Sequence, residues 1–248
     1  MRDLIRKTLE LPTALRVAAD RESMLRYLRP DGQQVRVREL DGHGIHLRPG
    51  TSDRFVLRLA LRGRSHLPPI PEPLLIWDLG ANIGVTVAHM AHLLPNVRIV
   101  GVELDPANFR QAVRNIRPWS DRCEMINAAV WVEDGTVAFR RIAGHEDGVR
   151  IAERGASVPA ISLNTLLQRT GPPDYVKMDV EGTEVALLTQ RTEWAAAVGS
   201  IKVEIHGGYG VDECARDLRV LGFEVSNLPQ PWWPLDRGRP CCVGIRYE

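Results

Sequence analysis

Two stretches of this 248-residue chain hold residue types at spacings that can do chemistry. The first runs Ile76-Trp77-Asp78-Leu79-Gly80-Ala81-Asn82-Ile83-Gly84. An apolar run ends in an acid, crosses a turn with spaced glycines and enters a helix. Gly80 lets a ligand approach the backbone, and Gly84 permits close helix–strand packing. Open α/β sheets bind nucleotides at such a turn, at the carboxyl end of the first strand. The next apolar run ends Val102-Glu103-Leu104-Asp105-Pro106, and Glu103 stands 25 positions after Asp78. That spacing suits a carboxylate that accepts both hydroxyls of a ribose. The pattern is Asp-x-Gly-x-x-x-Gly, with Asn82 and Ile83 where a dinucleotide turn needs glycine to admit a pyrophosphate. A nucleoside without phosphate, carrying an amino-acid tail, fits better, and S-adenosylmethionine (SAM) is such a ligand. The plainer reading, glycines that only close a βα turn, is disfavoured because the turn and the second acid occur together.

The second stretch is a pair of strands, Tyr175–Met178 and Ser200–Ile205, with charged residues in them and just past their ends at Asp179 and His206. Buried parallel strands should be almost wholly apolar, so charges at their carboxyl ends need a reason. Alternation puts Lys177 and Asp179 on one face, and Lys202, Glu204 and His206 on one face of the other strand. If the strands are neighbours, Asp179, Glu204 and His206 converge beside the nucleoside turn. Two carboxylates and an imidazole suit a hard or borderline divalent ion, Mg²⁺ or Mn²⁺. Such an ion lowers the pKa of a bound hydroxyl and fixes adjacent oxygens. Without an ion, the same acids hydrogen-bond an acceptor or pair with lysine. The chain has three lysines against 29 arginines, and two of the three are Lys177 and Lys202. An internal ion pair with nearby acids is the expectation for both. A general base is also needed. His206 is one candidate and His145, in the segment Gly144-His145-Glu146-Asp147-Gly148, is the other. The alternative for His145 is plain solvation in a flexible loop. Glu181 and Glu184 read as acids in the first turns of a helix, offsetting its dipole. A contact from Glu181 to the cofactor's amino group or the acceptor is the sharper alternative.

These stretches resemble class I SAM-dependent methyltransferases, and specifically the FkbM-type family. The resemblance rests on Asp78 to Gly84, on Val176-Lys177-Met178-Asp179-Val180-Glu181-Gly182-Thr183-Glu184, and on Val203-Glu204-Ile205-His206. It is supported by Val158 to Leu167, where Asn164 replaces the aspartate usual in the family, and covers about residues 50 to 245. It implies a seven-stranded Rossmann-like sheet whose last strand is antiparallel. It also implies O-methylation of hydroxyls on sugars, polyketides and related natural products. Gly80, Ala81, Asn82, Gly84, Glu103 and Leu104 would contact SAM, Asp78 would support the turn, and Asn127 and Ala128 would edge the adenine. Ser52 and Asp53 match the family's lead-in to a helix over the cofactor. Their local alternative is N-capping.

The elements that must position these groups follow from the patterning. From Leu74 onward short apolar runs alternate with amphipathic helices, which is the signature of an α/β fold with a mainly parallel sheet covered on both faces. Expected strands include Leu74–Trp77, Arg98–Val102, Cys123–Asn127, Tyr175–Met178 and Ser200–Ile205. A hairpin, Val130–Val132 with Val137–Ile142, is expected around Glu133-Asp134-Gly135. Residues 1–73 read as an N-terminal extension, helical to about residue 30 and closed by the proline-rich run Leu67–Pro73, and residues 74–248 as the methyltransferase domain.

Composition narrows the function classes. Apolar residues make up 44% of the chain and charged ones 25%, with a formal net charge of +1, ordinary for a soluble globular domain and unlike a polyanion binder. Cys123, Cys214, Cys241 and Cys242 show no metal spacing and fit a reducing cytoplasm. No run is apolar enough for a membrane span, and no leader is evident. Nucleic-acid N-methyltransferases carry a Pro-Pro-aromatic turn after the fourth strand, whereas here Pro172-Pro173-Asp174-Tyr175 precedes it. A small-molecule or oligosaccharide hydroxyl acceptor is expected, with no nucleic-acid or membrane partner. A homodimer and a non-catalytic SAM-binding role both stay open. Trp232 and Trp233 could stack on a sugar ring or pack a core.

Overall fold

The computed structural model describes residues 34–142, 145–151, 155–226 and 241–246, with backbone alone for 141–142 and 145–150. The N-terminal helix expected to about residue 30 and the Trp232–Trp233 loop lie outside the described residues. The chain divides into two compact units, Met1–Pro49 and Gly50–Glu248.

In the first unit β1 (Gln34–Arg36) and β2 (Gly44–His46) form an antiparallel pair with Val35 opposite Ile45. The first strand stops at Arg36. A 3₁₀ turn, Arg38–Leu40, follows, and Asp41 and Gly42 then take positive φ so that Gly42 N–H reaches the Val37 carbonyl.

The second unit opens with α1 (Asp53–Gly63), which packs against α2 (Val85–Leu93). Its centre is a seven-stranded sheet. The strands are β3 (Leu75–Leu79), β4 (Arg98–Glu103), β5 (Cys123–Asn127), β10 (Tyr175–Met178), β11 (Ser200–Glu204), β12 (Glu224–Ser226) and β13 (Cys241–Ile245), in spatial order β12-β13-β11-β10-β3-β4-β5. Only β13 runs antiparallel to its neighbours. This is the Rossmann-like class I methyltransferase architecture, with the order reversing between β3 and β10. Trp77, Ile99, Val100, Val176 and Ile201 are buried because both sheet faces are covered. Between strands lie α2, α3 (Pro106–Asn115), α4 (Leu163–Thr170), α5 (Glu184–Thr189) and α6 (Val211–Val220). Asp105 starts α3 by accepting the Ala107 and Asn108 N–H groups at 2.7 and 3.0 Å, with Pro106 in the first turn.

The expected hairpin is not formed. β6 (Ala129–Trp131) pairs in parallel with β9 (Ala156–Ser162), which lies between it and β7 (Gly135–Ile142), and β7 pairs on its other side with β8 (His145–Ile151). Asp134 explains the difference. Its carboxylate accepts Ser162 N–H at 2.7 Å and the Thr165 hydroxyl at 2.5 Å. The turn is thereby tied to the start of α4 and not closed on itself.

The four cysteines are buried and unbridged. Among the described residues no helix is long and apolar enough to cross a membrane.

Candidate functional site

The glycine turn between β3 and α2 is closed by its own neighbours. Gly80 and Ala81 N–H donate to the Val102 carbonyl at 2.9 and 3.0 Å, and Gly84 N–H to the Ala81 carbonyl at 2.8 Å. Asn82, at φ 50°, gives its N–H to Glu103 Oε2 at 2.8 Å, and its side-chain Oδ1 takes the Ile83 N–H at 2.7 Å. Every backbone N–H from Gly80 to Gly84 therefore has an acceptor inside the protein. None of these five turn N–H groups is left to cradle a pyrophosphate. Gly80 is required for a reason the sequence did not show. At φ +83° its missing Cβ would stand 1.8 Å from the Asp179 carbonyl oxygen, so strand packing by itself excludes a side chain. Gly84 packs closely as expected, though against α3: a Cβ would meet Ala112 Cα at 2.9 Å.

Glu103, at the end of β4, is buried. Its other oxygen accepts Asp105 N–H at 2.8 Å. Burial pushes its pKa up to about 7, against the pull of these two backbone bonds. Each carboxylate oxygen has a second lone pair, so a diol can still be accepted. Asn127 Nδ2 donates to the carbonyls of Glu103 and Leu104 at 2.8 and 3.1 Å and pins the loop that carries them. Leu104 packs on Ala129, Phe139 and Val158, and Ala128 is buried.

Ser52 precedes α1 but makes no side-chain cap. Its carbonyl accepts Phe55 and Val56 N–H, and Thr51 Oγ1 takes the Asp53 N–H at 3.2 Å. The capping alternative thus moves to Thr51. Asp53 is buried at 1% exposure.

Register aligns Asp78, Lys177 and Lys202 across three strands. Lys177 Nζ contacts Asp78 Oδ1 at 3.0 Å, Asp179 Oδ2 at 3.3 Å and the Gly80 carbonyl at 3.2 Å. Burial works to lower its pKa, but Asp78 and Asp179 outweigh it and the pKa is raised. Asp78 also accepts the Thr86 hydroxyl, which fastens β3 to α2. Lys202 departs from the expected ion pair. It donates to the carbonyls of Ser65 and Leu67 at 2.6 and 2.9 Å, and burial lowers its pKa.

Asp179, Glu204 and His206 come together at the carboxyl edge of β10 and β11, joined by two residues read differently from sequence. His206, 5% exposed, directs Nε2 towards Asp179 Oδ1, Glu181 Oε1 and Glu204 Oε1 at 3.5, 3.5 and 3.6 Å, and hydrogen-bonds to none of them. Its Nδ1 lies 2.6 Å from Glu184 Oε1, which also accepts Gly182 N–H at 3.1 Å. Burial disfavours the imidazolium, yet the Glu184 hydrogen bond and the charges of Asp179, Glu181 and Glu184 outweigh it, and the His206 pKa is raised. Glu181 is not in a helix. It sits at φ 53° in the turn before α5. Glu184 does begin α5, but it is fully buried and faces His206. The only hint in the sequence was the pair of acids just past a strand that already ended in Asp179.

His145 opens β8, in the four-stranded sheet β6-β9-β7-β8, and not a loop. Asn164 stands apart from the acidic cluster in its contacts: its amide donates to the Arg191 carbonyl and Glu193 Oε2 at 3.1 and 2.8 Å, holding α4 to the Thr192–Ala197 turn.

Residues 78–225 match the methyltransferase FkbM domain family. The hexuronic acid methyltransferase AglP of Haloferax volcanii is 26% identical over 163 residues. That match covers 62% of this chain and 65% of the relative's own length. Similar solved structures include the precorrin-6y C5,15-methyltransferase of Geobacter metallireducens GS-15, at 14% identity and TM-score 0.49, with 81% of this chain and 93% of that one covered. The N-terminal domain of EvdMO1, solved with S-adenosylhomocysteine (SAH) bound, has 18% identity and TM-score 0.47, with 76% and 81% covered.

Proposed function

We infer that this chain, which belongs to the methyltransferase FkbM domain family, is a SAM-dependent O-methyltransferase acting on a hydroxyl of a sugar, oligosaccharide or related natural product. The observation that carries the reading is the closed glycine turn beside Glu103: the turn's own N–H groups from Gly80 to Gly84 are taken, and a buried carboxylate stands beside them for a diol. Bound SAM supplies an electrophilic methyl on sulfur. The chain's task is to orient it and to prepare the acceptor oxygen, and alignment alone contributes roughly 7–11 kcal/mol to such reactions. Gly80, Ala81, Asn82 and Gly84 shape the turn, Asp78 and Lys177 brace it from below, and Leu104, Asn127 and Ala128 border the nucleoside. Ser52 and Asp53 lead into α1, the helix packed on α2.

Acceptor activation falls to the cluster around His206, with Asp179 and Glu204 beside it and His145 as the alternative base. The donor set of imidazole nitrogen and carboxylate oxygens at this edge fits Mg²⁺ or Mn²⁺, Asp179, Glu204 and His206 being the ligands read from the sequence. Such an ion lowers the pKa of a coordinated hydroxyl. A sugar acceptor is supported by the AglP relative, whose name gives hexuronic acid as its substrate. The reading of a non-catalytic SAM-binding protein has no use for a His206 ringed by acids. Incubation with methyl-labelled SAM and a panel of sugars, sugar acids, oligosaccharides and polyketides, with and without Mg²⁺, tests the assignment. Label should pass to a hydroxyl in the wild type, and D179N should lose at least 10-fold in turnover while SAH affinity holds. SAH binding without transfer to any acceptor leaves only the non-catalytic reading.

A further inference from the structure

We propose that Asp179, Glu181 and His206 form one divalent-cation site, with Glu181 in place of Glu204 as the third ligand and Glu184 as the residue that positions His206. The proposal rests on the reading of this sheet edge as a methyl-transfer site. Ligand atoms of Asp179, Glu181 and His206 lie within 4.8 Å of one another. Ligands sharing an ion at about 2.0–2.3 Å can stand no farther apart than roughly 4.6 Å, so this spread needs only a small contraction. Glu204 reaches His206 Nε2 but does not join this mutual set.

A second observation points into the same space. The His206 side chain is 1% exposed, and its Nε2 forms no hydrogen bond although three carboxylate oxygens lie at 3.5–3.6 Å. Were Nε2 there only to donate a proton to an acid, one of those distances should be near 2.8 Å. Near-equal spacing suits an atom placed between them. On the ring's far side Glu184, fully buried, accepts from Nδ1 at 2.6 Å. That bond puts the proton on Nδ1 and leaves the Nε2 lone pair for a ligand, the arrangement by which an outer carboxylate orients a metal-binding histidine. Charge also favours a cation: Asp179, Glu181, Glu184 and Glu204 surround His206, while Lys177 is already engaged by Asp78 and Asp179.

The test is Mn²⁺ binding to the full chain, followed by calorimetry and by electron paramagnetic resonance, with SAH titrated in parallel. Wild type should bind one Mn²⁺. E181Q should weaken it at least 10-fold and E204Q less than 3-fold. E184Q should weaken it about 10- to 100-fold and shift the visible spectrum of the Co²⁺-loaded protein, which a merely structural residue would not do. Glu181 and Glu204 are partly exposed, so their variants decide the ligand set even if E184Q does not fold. SAH binding with no Mn²⁺ binding overturns the cation site and leaves the methyl-transfer reading intact; loss of SAH binding in the wild type overturns that reading itself. Strong loss in E204Q with E181Q near wild type overturns Glu181 as the third ligand.

Discussion

Glu103 makes the most direct link between one side chain and the proposed cofactor. Its carboxyl has a pKa of about 7 because burial disfavours the charge more than two backbone donors favour it. A ribose diol donates hydrogen bonds, so it prefers the ionised form. SAH affinity should therefore rise as pH increases from 6 to 8, and E103Q should bind at least 10-fold more weakly with a flatter pH profile. Calorimetric titration at several pH values checks this, and a wild-type profile in E103Q removes the diol assignment. The position of Glu103 was legible in sequence because it depends on a strand end and a fixed spacing. Glu184 was not. A glutamate in a first helical turn is normally a dipole partner, and only the fold brings His206, 22 positions later, onto it. Lys202 was misread for the same reason: its partners, Ser65 and Leu67, are 137 and 135 positions away.

The elements divide by how local their causes are. The α3 helix has a local cause, Asp105 capping its first N–H groups with Pro106 in the first turn. The alternation from Leu74 onward pointed to the parallel sheet, because a strand buried on both faces must be apolar. The β6–β7 pairing failed since the turn residue Asp134 answers to Ser162 and Thr165, and β9 inserts between the two strands. S162A removes the α4 cap, in which Ser162 Oγ accepts Thr165 N–H at 3.1 Å. It should cost about 1 kcal/mol by chemical denaturation and leave SAH affinity unchanged. The two turn glycines should behave differently. G80A drives a Cβ into the Asp179 carbonyl, a backbone atom of a central strand end, and should cost about 3 kcal/mol or more. G84A meets α3 at 2.9 Å and should cost about 1–3 kcal/mol, with α2 and α3 moving apart. Thermal denaturation of both ranks them, and equal losses contradict the packing account of Gly80.

For the molecule as a whole, a buried histidine pair and Glu103 pull the response to acid in opposite directions. His66 and His89 are buried and joined by a 3.0 Å hydrogen bond between His66 Nε2 and His89 Nδ1. Burial and neighbouring positive charge hold His66 well below the usual histidine value, and burial with Arg64 lowers His89 to about 4. Both stay neutral in the folded chain, whereas the unfolded chain protonates them below about pH 6.5. Their folded pKa is depressed, so acidification costs stability from about pH 6.5 downward. Glu103 acts in the opposite sense. Its folded pKa is raised, so between about pH 7 and 4.5 the folded chain holds a proton that the unfolded chain does not. His206, also raised, is protonated in both states below about pH 6.5 and adds no slope there. From pH 6.5 to 5 the unfolded chain thus binds two protons on the histidine pair against one on folded Glu103. Stability should fall by about 1.4 kcal/mol per pH unit on acidification. H66Q/H89N keeps an amide in place of each bonded ring nitrogen and removes both titrations. In that variant only Glu103 remains, and stability should instead rise by a similar amount over the same interval. Urea denaturation at pH 6.5 and pH 5 measures both slopes; a variant that keeps the wild-type slope shows that the buried pair does not control it.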